Sequence, residues 1–367
     1  MESKHGAPKR RKNPIGRIFC FLILVALIAC IGIFIWYKSG LKPLSKEENK
    51  IIVEIPEKSS ISSIASILEE NKVIKSATIM KIYCKFNKTS NLQAGKYELD
   101  TKEDLKTILS HIENGEIYDE SATIAFIEGK TIKDYAKQIA AKTDNTEEDV
   151  FNLLKDEEYL DSLIEKYWFI TDEIKNEEIY FPLEGYILPD TYKFEKDMSV
   201  KEIFSYVLNY MDKYLSKYKE DIESKFTVHQ MLTLASIAEK EAYTLDDRKE
   251  VIGVFFNRLN SGYNLGSDVT TYYAFQVNMG ESDLTYKQLN TYNPYNTRGP
   301  NMIGKIPIGP ICNPSKSAIE ATIYYTETDN MFFVADKNGK VYFSKTQSEH
   351  DAKIKELKDN DLWFTYE

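Results

Sequence analysis

Residues 18–37, IFCFLILVALIACIGIFIWY, form an unbroken uncharged apolar run. A helix rises about 1.5 Å per residue, so this run covers roughly 30 Å, the hydrocarbon thickness of a bilayer. Lys4, Lys9, Arg10, Arg11, Lys12 and Arg17 precede it. Basic residues on that flank place the N-terminus in the cytoplasm. A cleavable signal peptide is the competing reading, but its apolar core is about 7–15 residues long and ends in small residues. Here the run ends in Trp36-Tyr37-Lys38, an aromatic and basic interface anchor. The expectation is a single-pass anchor in the cytoplasmic membrane. Residues 1–17 form a cytoplasmic tail, 18–37 the span and 38–49 a stalk broken by Gly and Pro. The remainder lies outside the cytoplasm.

That remainder is acidic. Outside residues 1–38 the chain carries 40 Lys and Arg against 56 Asp and Glu. Such a balance opposes binding to a phosphate backbone, so nucleic acid is not an expected partner. Cys20 and Cys30 fall in the apolar run, leaving Cys84 and Cys312, too few for a disulfide framework. The four His residues (5, 111, 229 and 350) lack metal-ligand spacing, and no zinc or other metal is expected.

IIVEI (51–55) reads as a strand and SSISSIASILEEN (59–71) as an amphipathic helix with a Ser start signal. A similar strand, polar turn and helix return 71 residues later in ATIAFIEGKTIKDYAKQIAAKT. Glu57 then matches Glu128, Ile61 matches Ile132, Ala65 matches Ala136 and Leu68 matches Ile139. LQAGKYELD (92–100) is a turn into a strand, and KEDLKTILSHIENG a helix closed by Gly115. From about 133 to 260 the pattern is mainly helical, interrupted by the aromatic stretch YFPLEGYILPDTYKF (180–194). A loop-rich region follows, then a hairpin around Asn338-Gly339 and a last helix near 346–358. The expected class is α+β: a small α+β unit at 50–120 and a mainly helical domain at 121–367 with a C-terminal hairpin.

LASIAEKEA (234–242) places two carboxylates in an apolar helical arc. At 100° per residue Glu239 falls between Ala235 and Leu232, and Glu241 between Ile237 and Leu234; Lys240 points the opposite way. A buried, unpaired carboxylate raises its pKa and keeps a proton, which is what a general acid at neutral pH requires. The alternative is a flank Glu paired to Arg248 or Arg258. Glu184 and Asp190 in LEGYILPDTY, with Tyr186 and Tyr192 between and beside them, suit one wall of a sugar cleft. A packed loop explains them too. Asp268 in LGSDVTTYY either touches ligand or caps the following helix. Asn296 and Thr297 in PYNTRG could hydrogen-bond substrate or serve a turn. There is no P-loop, G-x-S-x-G elbow or H-E-x-x-H. A chemistry needing one carboxylate and shaped loops fits best.

Taken in series, AGKYEL, LEGYILPDTY, ASIAEKEA, VFFNRL (with Asn257 and Arg258), LGSDVTTYY, PYNTRG and GPICNP resemble the endolytic murein transglycosylases, the MltG or YceG-like family. The resemblance runs from about residue 50 to the end. It implies Glu239 as the catalytic acid/base. It implies substrate contacts at Glu184, Tyr186, Asp190, Tyr192, Glu241, Asn257, Arg258, Asp268, Tyr295, Asn296 and Thr297. It further implies a LysM-like module at 50–120 that touches peptidoglycan glycan strands, cell-wall synthases as partners, and no cofactor. One departure is GKIPIGPICNP, where the family usually reads G-L-P-P-G-P-I before N-P.

The implied reaction makes sense of a solitary carboxylate. Glycoside hydrolysis uses two carboxyl groups, about 5–5.5 or about 6.5–9.5 Å apart. A lytic transglycosylase activates no water, because the C6 hydroxyl of N-acetylmuramic acid attacks its own C1 and leaves a 1,6-anhydro end. The rivals are a hydrolytic muramidase using Asp190 or Glu184 as second carboxylate, and a non-catalytic wall-binding scaffold.

Overall fold

The structure is a computed structural model and describes residues 14–363 except Glu281, with only the backbone described for residues 14–17. The basic residues Lys4 to Lys12 lie outside that range. The chain divides into two compact units, Met1–Glu120 and Ser121–Glu367.

The first unit begins with helix α1 (Pro14–Gly40). Its apolar side chains are exposed along nearly the whole run, Phe21, Ile28 and Phe34 among them. Within the described residues it is the one helix long and apolar enough to cross a membrane. Strands β1 (Lys50–Ile55) and β2 (Gly95–Asp100) pair antiparallel, with Val53 opposite Tyr97 and Ile51 opposite Leu99. Between them run α2 (Ile61–Glu70) and α3 (Ala77–Asn87), and α4 (Leu105–Asn114) follows. Ser60, Ser76 and Asp104 cap the three helices by accepting from backbone N–H groups. Gly115 ends α4 in the left-handed region, as its position after the last apolar repeat anticipated. Val53, Ile55, Tyr97 and Leu99 alternate inward onto Ala65, Leu68 and Ile108, which forms this unit's own core.

The second unit opens with β3 (Ala122–Phe126), α5 (Ile132–Lys142), α6 (Glu147–Leu153), α7 (Glu157–Lys166) and β4 (Asp190–Phe194). Next come α8 (Val200–Leu215), α9 (Lys219–Glu223), α10 (Val228–Glu241) and α11 (Leu245–Asn260). Then α12 (Asp268–Ala274), α13 (Tyr286–Leu289), α14 (Lys316–Ile323), β5 (Phe332–Ala335), β6 (Val341–Ser344) and α15 (Gln347–Asp359) complete it. The class is therefore α+β, a mostly helical body with small antiparallel sheets. The end of the aromatic stretch is a strand: β4 pairs with β3, placing Tyr192 opposite Ile124. Thr191 and Lys193 face out while Tyr192 and Phe194 face in, a period-2 pattern that the neighbouring Pro and Gly obscure in the sequence.

Helix α10 is the centre of this unit. Every residue from Val228 to Ala238 except Gln230 is buried. A helix enclosed on all sides must satisfy its polar groups internally. His229 Nε2 meets the Ile308 carbonyl at 2.8 Å and its Nδ1 meets the Tyr186 hydroxyl at 2.8 Å. Thr233 donates to the His229 carbonyl, and Ser236 donates to the Thr233 carbonyl while accepting from Ile311 N. Thr227 and Gln230 close the helix start as a capping box.

Candidate functional site

The two carboxylates of AEKE have opposite surroundings. Glu239 Oε1 accepts from Arg248 Nη2 at 2.9 Å. Glu239 Oε2 accepts from Ser315 N at 3.0 Å and Ser315 Oγ at 2.5 Å. Arg248 Nη1 also donates to Ser315 Oγ, and its Nε donates to the Ala242 carbonyl. Ser315 caps α14, and Arg248 belongs to α11. The Glu239 side chain is 6% exposed and that of Arg248 8%. This is a closed ion pair that braces three helices.

Glu241 ends α10 two residues later and has no cationic partner within ion-pair distance among the described residues. One hydrogen bond reaches it, from Ser267 Oγ to Oε1 at 2.5 Å. Among the described residues nothing bonds Oε2. Burial pushes its carboxyl up to about 7; the Ser267 bond opposes that rise and the nearby Asp268 charge adds to it. Glu241 and Asp268 line two clefts, one of about 820 Å³ with Lys240, Tyr243, Tyr272 and Met279, the other of about 490 Å³ with Arg258 and Arg298. A third cleft of about 440 Å³ shares Lys240, Val269, Tyr272 and Met279 with the first. Glu241 thus borders two of these clefts.

The resemblance pointed to Glu239 as acid; in the structure its carboxylate bonds Arg248 and Ser315, while Glu241 lines the first two clefts. Arg248, nine residues on, is one of the two partners that the sequence offered, whereas Ser315, seventy-six residues on, is not visible there. The flank-pair alternative, with Arg248, describes Glu239 as it stands.

The motif loops that surround α10 are interlocked. Asn313 Oδ1 accepts from Gly185 N and Ile187 N, both at 3.1 Å, and its Nδ2 donates to Glu184 Oε1 at 3.1 Å. Gly185 has φ +84°, and a Cβ there would stand 2.4 Å from Pro310 Cβ. Only glycine meets both demands at this crossing. Glu184 is buried and accepts from Ile132 N, at the start of α5, and from the Tyr273 hydroxyl. Burial raises its carboxyl to about 8. Tyr186, Tyr192 and Tyr295 are buried rings whose hydroxyls bond His229, the Leu188 carbonyl and Tyr180 N. Asp190 is exposed and pairs with Lys316. Asn257 Nδ2 donates to the carbonyls of Thr328 and Asn330.

PYNTRG acts through α12. Asn296 Oδ1 accepts from Thr271 Oγ1 at 2.7 Å, and Thr297 Oγ1 accepts from Ser267 N at 3.0 Å. Thr297 therefore holds Ser267, and Ser267 holds Glu241. Asp268 is the first residue of α12, with Ser267 at the cap position, and it pairs with Arg298. Of the sequence candidates, Glu241, Arg258 and Asp268 meet at the clefts. Glu184, Tyr186, Tyr192, Asn257, Tyr295, Asn296 and Thr297 are bound into the framework. Ser267, Tyr272 and Arg298 were not singled out, although Ser267 and Tyr272 stand within LGSDVTTYY and Arg298 within PYNTRG.

The YceG-like family model matches residues 53–356. The chain belongs to the YceG-like family. It is 35% identical over 324 residues to the endolytic murein transglycosylase of Bacillus subtilis, covering 87% of this chain and 88% of that protein. It is 32% identical over 359 residues to the endolytic murein transglycosylase of Streptococcus pneumoniae D39, covering 92% of this chain and 64% of that longer protein. A crystal structure of a YceG-like protein from Listeria monocytogenes is 38% identical, with a TM-score of 0.59 over 84% of this chain and all of that one. This YceG-like chain carries its family's motifs at the clefts around Glu241 and in the loops that brace them.

Proposed function

We propose that this YceG-like protein is an endolytic murein transglycosylase whose general acid/base is Glu241. The observation that carries the assignment is the position of Glu241. It has no cationic partner among the described residues, is poised near neutrality, and lines two clefts. Two clefts that meet at one carboxylate give a glycan strand room beyond a single sugar, which suits cleavage within a chain. Protonated Glu241 gives its proton to the departing glycosidic oxygen. The resulting carboxylate takes the C6 hydroxyl proton of the muramic residue as that oxygen closes onto C1. No water needs activating, and Glu184 and Asp190 are committed elsewhere, to Asn313 and Lys316. The test is digestion of purified glycan strands by the full-length chain in detergent, with masses of the ends. Anhydro ends support the reading; reducing ends favour a muramidase.

The first unit supports a wall-contacting, LysM-like role by its strand–helix–helix–strand order. Co-sedimentation of that unit with purified wall tests it. Helix α1 fits a single-pass anchor with the N-terminus in the cytoplasm and the body facing the wall, near the synthases whose strands it would cut. Protease added to wall-stripped cells should remove the body.

A further inference from the structure

Arg258 lines the 490 Å³ cleft beside Glu241. Its guanidinium is oriented by backbone alone. Nε donates to the Asn264 carbonyl at 2.9 Å and Nη1 to the Met331 carbonyl at 3.0 Å. Tyr263 and Phe332 lie under it, with ring centroids 5.7 and 5.3 Å from Cζ. Among the described residues no carboxylate pairs with it and nothing accepts from Nη2. Gly266 lies over that nitrogen and also lines the cleft; a Cβ there would stand 3.3 Å from Nη2. The glycine leaves this edge of the fork uncovered.

A half-buried guanidinium without a counter-charge is costly unless a ligand supplies one. Arg298, on the same cleft, has a carboxylate partner in Asp268. Arg258 carries the cleft's unmatched charge. Burial and the Arg298 charge both disfavour that charge, so an arriving anion relieves both.

We propose that Arg258 is a specificity residue that reads a carboxylate on the lactyl arm of muramic acid, either the bare lactyl group or an acidic residue of a stem peptide. The inference rests on the transglycosylase reading above. A rigid fork with one free edge recognises a carboxylate at a fixed place, which sets the register of the strand against Glu241. Neutral glycans of the same backbone lack this contact.

The experiment compares native strands with strands whose carboxylates have been converted to amides. Full-length protein in detergent should show a KM roughly 10- to 100-fold higher on the amidated strands, the range expected for one lost charge-assisted bond. In Arg258→Gln that ratio should collapse towards one, and Arg258→Lys should recover part of it. Competition separates the sources of the carboxylate. N-acetylmuramic acid against its methyl ester tests the lactyl group, and N-acetylmuramyl-L-alanyl-D-glutamate against its amidated form tests the stem. At least tenfold stronger inhibition by either charged member supports the proposal, and equal inhibition within both pairs overturns it. These wild-type measurements decide the matter even if Arg258→Gln does not fold. Absence of anhydro ends from every strand overturns the transglycosylase reading alone. Arg258-dependent binding of the charged muramyl compounds, followed by melting, then still supports or overturns this proposal.

Discussion

Arg248 Nη2 and Glu239 Oε1 lie 2.9 Å apart, with both side chains almost fully enclosed. That contact separates two glutamates that one helix places a turn-fraction apart. Glu239 holds α10, α11 and α14 together, and Glu241 is left to the clefts. Glu239→Gln should therefore be a stability variant. It leaves Arg248 without its counter-charge, a loss of about 3–5 kcal/mol for a buried pair broken on one side. Glu241→Gln should fold normally and lose about 10²- to 10⁴-fold in rate, as removal of a general acid does. Thermal melts and anhydro-product rates for both variants check this. Normal folding with lost activity for Glu239→Gln, and full activity for Glu241→Gln, would return the acid to Glu239.

The pH dependence follows from Glu241 lying near 7 in the folded protein against 4.5 as an ordinary glutamate. Between those values the folded state holds a proton that the unfolded chain releases. Stability from this group therefore falls as pH rises through that window, and the deficit is complete above 7. Glu241→Gln removes the effect. The two proteins should melt alike below pH 4.5. The variant should gain on the order of 1 kcal/mol by pH 7.5, less than full linkage because the group borders a solvated cleft. The wild-type kcat/KM should decline above about pH 7 as the acid loses its proton.

Glu184 gives a contrasting case. It joins the start of α5, the Asn313 loop and Tyr273 of α12. Glu184→Gln keeps an acceptor for Ile132 N and a donor towards Tyr273, so at pH 7 it should melt within about 1 kcal/mol of wild type and stay active. Glu184→Ala leaves buried donors unmet and a cavity, costing about 2–4 kcal/mol. Paired melts and rates are the check. An inactive but stable Glu184→Gln would revive the hydrolytic mechanism.

Much of this architecture was legible in the chain because it is local. Ser60 and Gly115 mark helix ends by their own chemistry, and Asn338-Gly339 marks the hairpin. The wheel of α10 correctly put both carboxylates into the apolar arc. Their different surroundings depend on Arg248, which the sequence offered as a partner, and on Ser315, which seventy-six residues of separation hide. Tyr186 and Tyr192 read as a sugar wall, and Tyr295 as a substrate contact, because aromatic density marks a cleft and a core equally. Their burial is decided by distant partners: Tyr206 and Tyr210 of α8 for Tyr192, His229 of α10 for Tyr186, and Tyr180 with Tyr273 of α12 for Tyr295. Strand β4 was hidden for a related reason, since its partner β3 lies more than sixty residues upstream.

Ser267 offers the sharpest test of how the site is tuned. Its hydroxyl donates to Glu241 Oε1 at 2.5 Å, and its own N–H is fixed by Thr297 Oγ1. A donor to a carboxylate favours the ionised form, so this bond restrains the rise that burial imposes. Ser267→Ala removes the restraint and leaves the backbone anchor to Thr297 in place. Glu241 should then hold its proton to higher pH. The alkaline decline of kcat/KM should move up by about half to one pH unit. The rate at pH 7 should fall roughly 3- to 30-fold, because Oε2 loses the fixed orientation that its partner oxygen provides. Stability should change by no more than about 1 kcal/mol. Ser267→Thr, which restores a hydroxyl, should recover most of the original profile. A merely structural Ser267 predicts a different pattern: a lower melting temperature, a lower rate and an unmoved pH profile. Measuring the full pH–rate curve of Ser267→Ala beside wild type therefore distinguishes a residue that positions and tunes the acid from one that only packs near it.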